Sequence, residues 1–288
     1  MKMAQLFETV TIVGVGLLGA SLGLALKQKD LAGTVRGVGR GQPSLDTALE
    51  MGAIDEAHLD LSDAALGADL IVICTPAAAV LQALDTIRPV CGKSTVVTDV
   101  ASTKAAICAH AKRAWSEPYR FVGSHPMAGS EKFGPEHAEA DLYKGSICLV
   151  EKLNGQAEDA HAAVVRLWET LGARVVQVDP EFHDAMVAKT SHVPHVVAAA
   201  LAQLLDGDSG EEAPFIGTGF LDTTRLADGR PEVWRDICLT NSEAIETKLR
   251  ELIQVLEEAS GAVAGRDARR LEDFFQKGRD ARRRATEG

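Results

Sequence analysis

The chain has 288 residues, which is enough for one large domain or for two domains with separate cores. Hydrophobic residues make up 46% of it and charged residues 25%, as in an ordinary globular protein. The 41 acidic and 30 basic side chains give a net charge of −11, which argues against nucleic acid or an anionic membrane as a partner. No apolar run approaches the roughly 20 residues that span a bilayer.

The cysteines and the N-terminus both indicate a cytoplasmic protein. No C-x-x-C spacing occurs, and an odd number of cysteines fits reduced thiols better than a disulfide framework or a zinc site. The first residues, MKMAQLFETV, carry an acid where a secretory signal needs an apolar core. We therefore expect a cytoplasmic protein that holds no metal. The five cysteines are Cys74, Cys91, Cys108, Cys148 and Cys238.

Strands and helices alternate through the first 178 residues. Short apolar or β-branched runs predict strands at residues 10–13, 34–38, 70–74, 95–100, 121–122, 147–150 and 174–178. Between them we predict a glycine turn that opens into a helix across residues 14–29, and helices at 45–51, 80–87, 105–115 and 159–171. This alternation is typical of βαβ units, so we expect a doubly wound α/β domain with a mostly parallel sheet.

The pattern changes after Val178. Asp179-Pro180-Glu181 is typical of a helix start, with a capping carboxylate, a proline at the first helical position and an acid in the first turn. Long apolar-periodic segments follow at residues 182–205 and 233–256, and no strand is predicted. We therefore divide the chain into a sheet domain, residues 1–178, and an all-helical domain, residues 179–288. The polar, basic end at residues 279–288 is expected to fray.

A glycine-rich turn follows the first predicted strand. The sequence from Gly14 to Gly19 is G-x-G-x-x-G, and it lies between a strand and a helix. The first glycine permits the tight turn, the second lets the backbone approach a pyrophosphate, and the third allows the helix to pack on the strand. This context predicts a Rossmann-type dinucleotide site. The candidate cofactor-binding residues are Gly14, Gly16, Leu17, Leu18 and Gly19, with Arg40 near the second strand, and Thr75 and Pro76 after the third.

The end of the second predicted strand bears on the choice of cofactor. An acid at this place would hold the ribose 2′-hydroxyl of NAD, but Gly39 stands there and Arg40 follows. Without the carboxylate, a 2′-phosphate meets no repulsion, and arginine can pair with it. This favours NADP and leaves NAD open. The alternative is a loop arginine that only contacts solvent.

The segment 123–131, GSHPMAGSE, is the most informative stretch of the sequence. It holds His125 between a proline and two glycines, directly after the predicted strand Phe121–Val122. Residues just past the carboxyl ends of parallel strands line the ligand crevice, and histidine can exchange a proton near neutral pH. Ser102 follows another strand and is expected at the same edge. A proton-handling group beside a hydride acceptor indicates a dehydrogenase.

Six motifs in order, GVGLLGASL, DVASTK, GSHPMAGSE, SHVPH, FLDTTR and VWRDI, resemble the prephenate/arogenate dehydrogenase family of tyrosine biosynthesis. The resemblance runs from about Val10 to Leu256. It implies a Rossmann domain, a helical dimerisation domain that forms a homodimer, and an active site between them. The implied reaction is the oxidative decarboxylation of prephenate, arogenate or both, with hydride transfer to NAD or NADP. From the room left in the given sequence, we expect no fused chorismate mutase before Thr11 and no appended regulatory domain after the last helix.

The resemblance assigns roles to individual residues. It carries over His125 as the catalytic histidine, Ser102 as its hydrogen-bonding neighbour and Arg225 as the anchor of the substrate carboxylate. Two departures from the family pattern are Ala101, where many members have glycine, and Gly39, where NAD-using members have an acid. The other matched active-site positions are His195 and Glu131 and, less directly, Ser191, His192 and Asp184.

The sequence admits three alternative interpretations. His192 and His195 are spaced to share a helix face and so to bind a metal, but no third ligand is near in the sequence, and His192 fits a buried structural histidine. A β-hydroxyacid dehydrogenase would have asparagines after a lysine base, whereas Lys189 is followed by Thr-Ser-His. A nucleotide-sensing protein with a dead site would lack His125 or Arg225, and both are present.

Overall fold

The computed structural model describes residues 5–129, 132–205 and 212–287. Its strands are β1 (Phe7–Val13), β2 (Ala32–Val38), β3 (Glu56–His58), β4 (Leu70–Ile73), β5 (Val96–Asp99), β6 (Phe121–Val122), β7 (Ser124–Pro126), β8 (Ile147–Glu151) and β9 (Arg174–Val178). Its helices are α1 (Leu17–Gln28), α2 (Gln42–Glu50), α3 (Leu61–Ala65), α4 (Ala77–Ile87), α5 (Ala105–Ala114), α6 (Glu158–Thr170), α7 (Pro180–Val187), α8 (Val193–Ala202), α9 (Thr218–Thr224), α10 (Pro231–Thr240), α11 (Ser242–Ala264) and α12 (Ala268–Glu287).

Six strands form a parallel sheet in the order β3-β2-β1-β4-β5-β6, which is the doubly wound Rossmann arrangement. Buried side chains alternate between its two faces. In β4, for example, Leu70 and Val72 pack into one core with α1, α2 and α6, whereas Ile71 and Ile73 pack into the other with α3, α4 and α5. The predicted fold class is confirmed. Strand β3, which is short and has no apolar run, was not predicted.

Not all of the predicted strands join this sheet. Strands β7, β8 and β9 form a separate three-stranded sheet, in which β7 is antiparallel to β8 and β8 is parallel to β9. The chain leaves the large sheet at Gly123, whose backbone N–H donates to the Glu151 carboxylate at 2.8 Å instead of to a neighbouring strand. His125 therefore lies on β7, paired with Leu149, and not in a loop after β6.

The described residues after Val178 form helices and turns without strands, as predicted. The apolar-periodic segment 182–205 is helical, and a π-helical turn, Ala188–His192, divides it between α7 and α8. Likewise, the segment 233–256 is divided at Asn241, which ends α10 with a non-helical backbone before α11 begins at Ser242. Apolar periodicity continues across both breaks, so it could not reveal them.

By contacts between residues, the chain divides into two compact units, Met1–Ser242 and Glu243–Gly288. The domain boundary at Asp179 stays a prediction. In the second unit, α12 continues to Glu287, so the predicted fraying of the end from residue 279 is not seen, and none of the described side chains of α12 is buried. All five cysteines are free thiols. Within the described ranges, no helix is long and apolar enough to cross a membrane.

Candidate active site

The glycine turn after β1 leaves room for a ligand. Gly14 has φ +97°, and a Cβ there would lie 2.9 Å from the carbonyl oxygen of Cys74. A Cβ on Gly19 would lie 2.0 Å from the carbonyl oxygen of Gly14, so α1 packs against the turn only with glycine here. Above Gly16, by contrast, no described atom lies within 4 Å of a Cβ position. Gly16 also caps α1, whose first backbone N–H groups are suited to phosphate oxygens.

Thr75 supplies a second sign of a ligand at this edge of the sheet. Its hydroxyl oxygen is buried and has no hydrogen-bond partner among the described residues, although such groups are normally paired. Its methyl group lies 3.3 Å from a Cβ built on Gly14, so it borders the glycine turn. Pro76 caps the next helix, α4. An unpaired hydroxyl beside an open glycine turn fits a dinucleotide.

The end of β2 has two features that matter for the adenosine ribose. The backbone N–H of Gly39 donates to the His58 carbonyl at 3.2 Å, and a Cβ on Gly39 would lie only 3.0 Å from Cγ of Leu45. Packing against Leu45 is therefore a structural reason for glycine at this position. The exposed Arg40 precedes Gly41, which caps α2 without a side chain, and no acid occurs in the first turn of α2. This helix start is electropositive.

His125 is 8% exposed and is held by its own strand. The preceding residue, Ser124, donates its hydroxyl to the Asp99 carbonyl at 2.6 Å and accepts a hydrogen bond from the Trp168 indole at 3.0 Å. Burial lowers the pKa of His125 well below its usual value, and the neighbouring charges of His183 and Lys104 add to this. His125 is therefore a neutral imidazole at physiological pH.

A second histidine is in contact with the first. Nδ1 of His125 lies 2.9 Å from Nε2 of His183, and Nδ1 of His183 lies 2.7 Å from the Asp184 carboxylate. The same carboxylate accepts the backbone N–H groups of Lys104 and Ala105, at 2.8 and 2.9 Å, at the start of α5. His183 and Asp184 thus connect α7 to both β7 and α5.

The assignment of Ser102 as a hydrogen-bonding neighbour of His125 stays a prediction. Ser102 is half-buried just after β5, on the same edge of the sheet. The described hydrogen bonds include none between Ser102 and His125, and Nδ1 of His125 lies 2.9 Å from Nε2 of His183. Two residues beyond Ser102, the buried Lys104 forms an ion pair with Asp99.

His192 and His195 follow α7 and face the same tryptophan. Nδ1 of His192 lies 3.2 Å from the amide nitrogen of Asn241, and burial lowers the pKa of His192 to about 4. His195 stacks on Trp234 with ring centroids 3.5 Å apart, and its Nδ1 lies 2.9 Å from the Ser191 carbonyl oxygen. His192 has the buried, hydrogen-bonded surroundings of a structural histidine.

Arg225 lies close enough to His195 to affect its titration. The pKa of His195 is lowered mainly by burial, and the positive charge of Arg225 lowers it further. Arg225 itself is exposed, at the end of α9. A cavity of about 330 Å³ lies beside these residues and is lined by His195, Trp234 and Leu226 among others.

Two other expectations concern Glu131 and metal. Glu131 lies outside the described residues. No group of three metal-ligating side chains occurs in the parts of the chain that the structure describes. His192 and His195 instead make separate contacts, with Asn241 and with Trp234.

Sequence reasoning did not assign a role to several residues of the site. His183 directly precedes Asp184, but it was not assigned to the site. Adjacent residues on a helix point in different directions, so the match at Asp184 did not place His183 there. Lys104 lies in the DVASTK motif and Trp234 in VWRDI, so the motifs contained a signal for both. Nothing in the sequence marks Asn241, which becomes visible only through its contact with His192.

Comparison with known proteins gives the family. Residues 22–177 match the family model described as prephenate dehydrogenase, nucleotide-binding domain, and residues 179–277 match prephenate dehydrogenase, dimerization domain. The first match begins after the glycine turn. A prephenate dehydrogenase of Bacillus subtilis is 31% identical over 97% of this chain and 76% of its own. A cyclohexadienyl dehydrogenase of Zymomonas mobilis is 29% identical over 96% and 95%.

Solved structures agree. A prephenate dehydrogenase from Aquifex aeolicus, in complex with hydroxyphenyl propionate and NAD+, superimposes with a TM-score of 0.89 at 27% identity, over 99% of this chain and 100% of that one. An arogenate dehydrogenase from Synechocystis gives a TM-score of 0.81 at 30% identity, over 96% and 100%. These matches do not support the alternative of a β-hydroxyacid dehydrogenase. The chain belongs to the prephenate dehydrogenase family.

Proposed function

We propose that the protein oxidatively decarboxylates prephenate, arogenate or both. Each substrate is a cyclohexadienol with a carboxylate and a hydroxyl on opposite ring carbons. A bound nicotinamide supplies the acceptor for the hydride that leaves the carbinol carbon, while carbon dioxide departs and the ring becomes aromatic. The protein must therefore orient the ring, polarise the hydroxyl and keep the reacting atoms together.

The observation that carries this proposal is a buried histidine at the ligand edge of the sheet. His125 lies just beyond the carboxyl end of β6, on the edge that also bears the glycine turn and Thr75. Because burial keeps its pKa well below the usual value, His125 is able to accept a hydrogen bond from the substrate hydroxyl near neutral pH. General base catalysis of this kind typically contributes 10²–10⁴-fold.

We assign the substrate carboxylate to Arg225. A guanidinium pairs with a carboxylate through two parallel hydrogen bonds, which fixes the orientation of the ring. In support, Arg225 acts electrostatically on His195, which stacks on Trp234 beside a cavity of about 330 Å³. Ser102, Ser191, His192 and His195 complete the proposed surroundings of the substrate, together with Glu131.

The cofactor-binding residues are assigned from the open glycine turn. Backbone N–H groups at Gly16, Leu17 and Leu18 would hold the pyrophosphate, and the unpaired hydroxyl of Thr75 would bond to the cofactor. For the adenosine ribose we favour a 2′-phosphate and hence NADP, because Arg40 and the start of α2 both favour negative charge. NAD is the other candidate, and NAD+ is present in the Aquifex aeolicus structure.

The assembly is proposed to be a homodimer, since residues 179–277 match a dimerization domain. The cytoplasmic location inferred from the cysteines stays a prediction.

One set of assays tests the function. Steady-state rates are measured with prephenate and with arogenate, each against NAD+ and NADP+, by following reduced cofactor and released carbon dioxide. With at least one of the two substrates, we expect reduced cofactor and carbon dioxide to form in equal amounts. Reduced cofactor without carbon dioxide, or no turnover with either substrate, would overturn the proposal.

A further inference from the structure

The hydrogen bonds around Asp184 determine where the protons of the histidine pair lie. Oδ1 of Asp184 accepts the backbone N–H of Lys104 at 2.8 Å, and Oδ2 accepts that of Ala105 at 2.9 Å. Both oxygens already face donors, so the carboxylate acts only as an acceptor. Nδ1 of His183, which lies 2.7 Å from Oδ1, must therefore carry a proton.

The second ring follows from the first. A neutral His183 with its proton on Nδ1 has a lone pair on Nε2. Nδ1 of His125 lies 2.9 Å from that lone pair, so His125 donates its Nδ1–H to His183. The opposite nitrogen of His125, Nε2, is then left without a proton. This is the nitrogen that an acceptor role requires.

We propose that His183 and Asp184 are positioning residues, which hold His125 in the tautomer whose Nε2 accepts the substrate hydroxyl. This inference rests on the proposed function of His125. Neither residue is assigned a contact with the substrate. Their effect passes through the ring of His125, which is free to adopt either tautomer when His183 is absent.

The contact between His125 and His183 also allows a positive charge to pass from one ring to the other. As the hydroxyl proton moves to Nε2 of His125, the Nδ1 proton of that ring can move to Nε2 of His183. The positive charge then lies on the ring that contacts the Asp184 carboxylate, and not beside Lys104, which disfavours charge on His125. When the ring becomes aromatic, its oxygen takes the proton back, and both histidines are neutral again.

The carboxylate at the end of this chain is rigidly held. Asp184 is 3% exposed, and its two oxygens bind the first turn of α5, where the helix dipole favours a negative charge. Its backbone carbonyl accepts a hydrogen bond from Asn241 at 2.9 Å. Because α7 is fixed to α5 and to α10 in this way, His183 is held against β7.

Two substitutions of His183 separate its contacts. In His183→Asn, the amide nitrogen can replace Nδ1 and still donate to Asp184, but His125 loses its acceptor. In His183→Gln, the amide oxygen can replace Nε2 and still accept from His125. We expect kcat to fall about 10²-fold in His183→Asn, the lower range for a lost general base, and clearly less in His183→Gln. The affinity for the cofactor is expected to stay unchanged in both.

Nitrogen-15 NMR of the free protein shows which ring nitrogen of His125 carries the proton. If His183 had only a structural role, its substitution would not change that position. In the parent and in His183→Gln we expect the proton of His125 on Nδ1, and in His183→Asn we expect it largely on Nε2. A parent protein with the proton on Nε2 would overturn the inference, as would equal losses of kcat in both variants without a change of tautomer. The NMR measurement needs no substrate. The tautomer of His125 can therefore be determined even if the protein turns over neither prephenate nor arogenate.

Discussion

The backbone N–H of Gly123 donates a hydrogen bond of 2.8 Å to Oε1 of Glu151, at the point where the chain leaves the large sheet. The other carboxylate oxygen of Glu151, Oε2, is buried and has no partner among the described residues. Burial raises the pKa of this carboxyl to about 7. An ionised Glu151 is therefore unfavourable in the fold, although its neutral form is accommodated.

Glu151→Gln should stabilise the fold at alkaline pH. The folded state holds the Glu151 proton more tightly than the unfolded state, so stability is lost as pH rises from about 4.5 to about 7. Glutamine keeps the acceptor for Gly123 and has no charge to bury. We expect a gain of up to about 3 kcal/mol in the free energy of unfolding at pH 8, and almost none near pH 4.5. Urea titrations at both pH values measure it.

Glu169→Gln is the matched control for this prediction, because Glu169 is exposed on α6. It should change the free energy of unfolding little at either pH. A gain in Glu151→Gln that is the same at pH 4.5 and pH 8 would contradict the argument from burial.

His125→Asn should preserve the fold and cofactor binding but lose most of kcat. Asparagine is similar in size and forms hydrogen bonds, yet it cannot act as a base at neutral pH. The expected loss is on the order of 10²-fold or more. His110→Asn, at a histidine on α5 that pairs with Asp85, should leave kcat unchanged. A loss below about threefold in His125→Asn would remove His125 from its assigned role.

The pH dependence of the reaction should reflect a neutral His125. Because burial lowers its pKa well below 6.5, the unprotonated form persists in acid that would protonate an exposed histidine. We expect the acid limb of kcat/KM to lie clearly below pH 6.5. The profile is measured with saturating cofactor and corrected for the stability of the protein. An acid limb centred at or above pH 6.5 would be inconsistent with this environment.

Arg225→Lys should raise the KM for the substrate and leave that for the cofactor nearly unchanged. Lysine keeps the charge but loses the two-pronged contact with a carboxylate. The loss should be about 1.5–3 kcal/mol, or roughly 10- to 100-fold. Arg113→Lys, on the surface of α5, serves as the control. An unaltered substrate KM would place Arg225 outside the site.

Arg40→Ala tests the choice of cofactor. If Arg40 pairs with the 2′-phosphate, NADP should bind more weakly by about 1.5–3 kcal/mol while NAD binds as before. In the parent, added salt should erode the preference for NADP. Dissociation constants for both cofactors measure this, with Arg88→Ala as the control. Equal losses for both would mean that Arg40 supports the loop, and a parent that strongly prefers NAD would refute the idea.

The sequence allowed the large sheet and the glycine turn to be predicted, because both follow from local patterns. The strand β1 is a β-branched run, and Gly14 and Gly19 are required by close backbone contacts around them. Strand β7 was not predicted, since its three residues include a proline and pair with β8, which begins 21 positions after β7 ends. Short strands in small sheets depend on distant partners, which no local pattern reports.

The candidate site was predicted in its residue types but not in its contacts. His125 and Arg225 were identified by their motifs, and Ser102 was expected to bond to His125. In the structure His125 contacts His183, which is 58 residues away in the sequence and on a different element. Only the packing of α7 against β7 and α5 brings the two imidazoles together, so the pairing is a property of tertiary structure.

The π-helical turn between α7 and α8 sets the orientation of the site residues that follow it. His183 precedes this turn and His195 follows it, twelve positions later in the sequence. The turn holds one residue more than a regular α-helical turn, so if Ala188–His192 formed regular α-helix without losing a residue, every later position would rotate by about 100° about the helix axis. His195 would then turn away from Trp234, although no residue of the site had been altered. The relative orientation of His183 and His195 therefore depends on the type of helix between them, and not only on which residues the site contains.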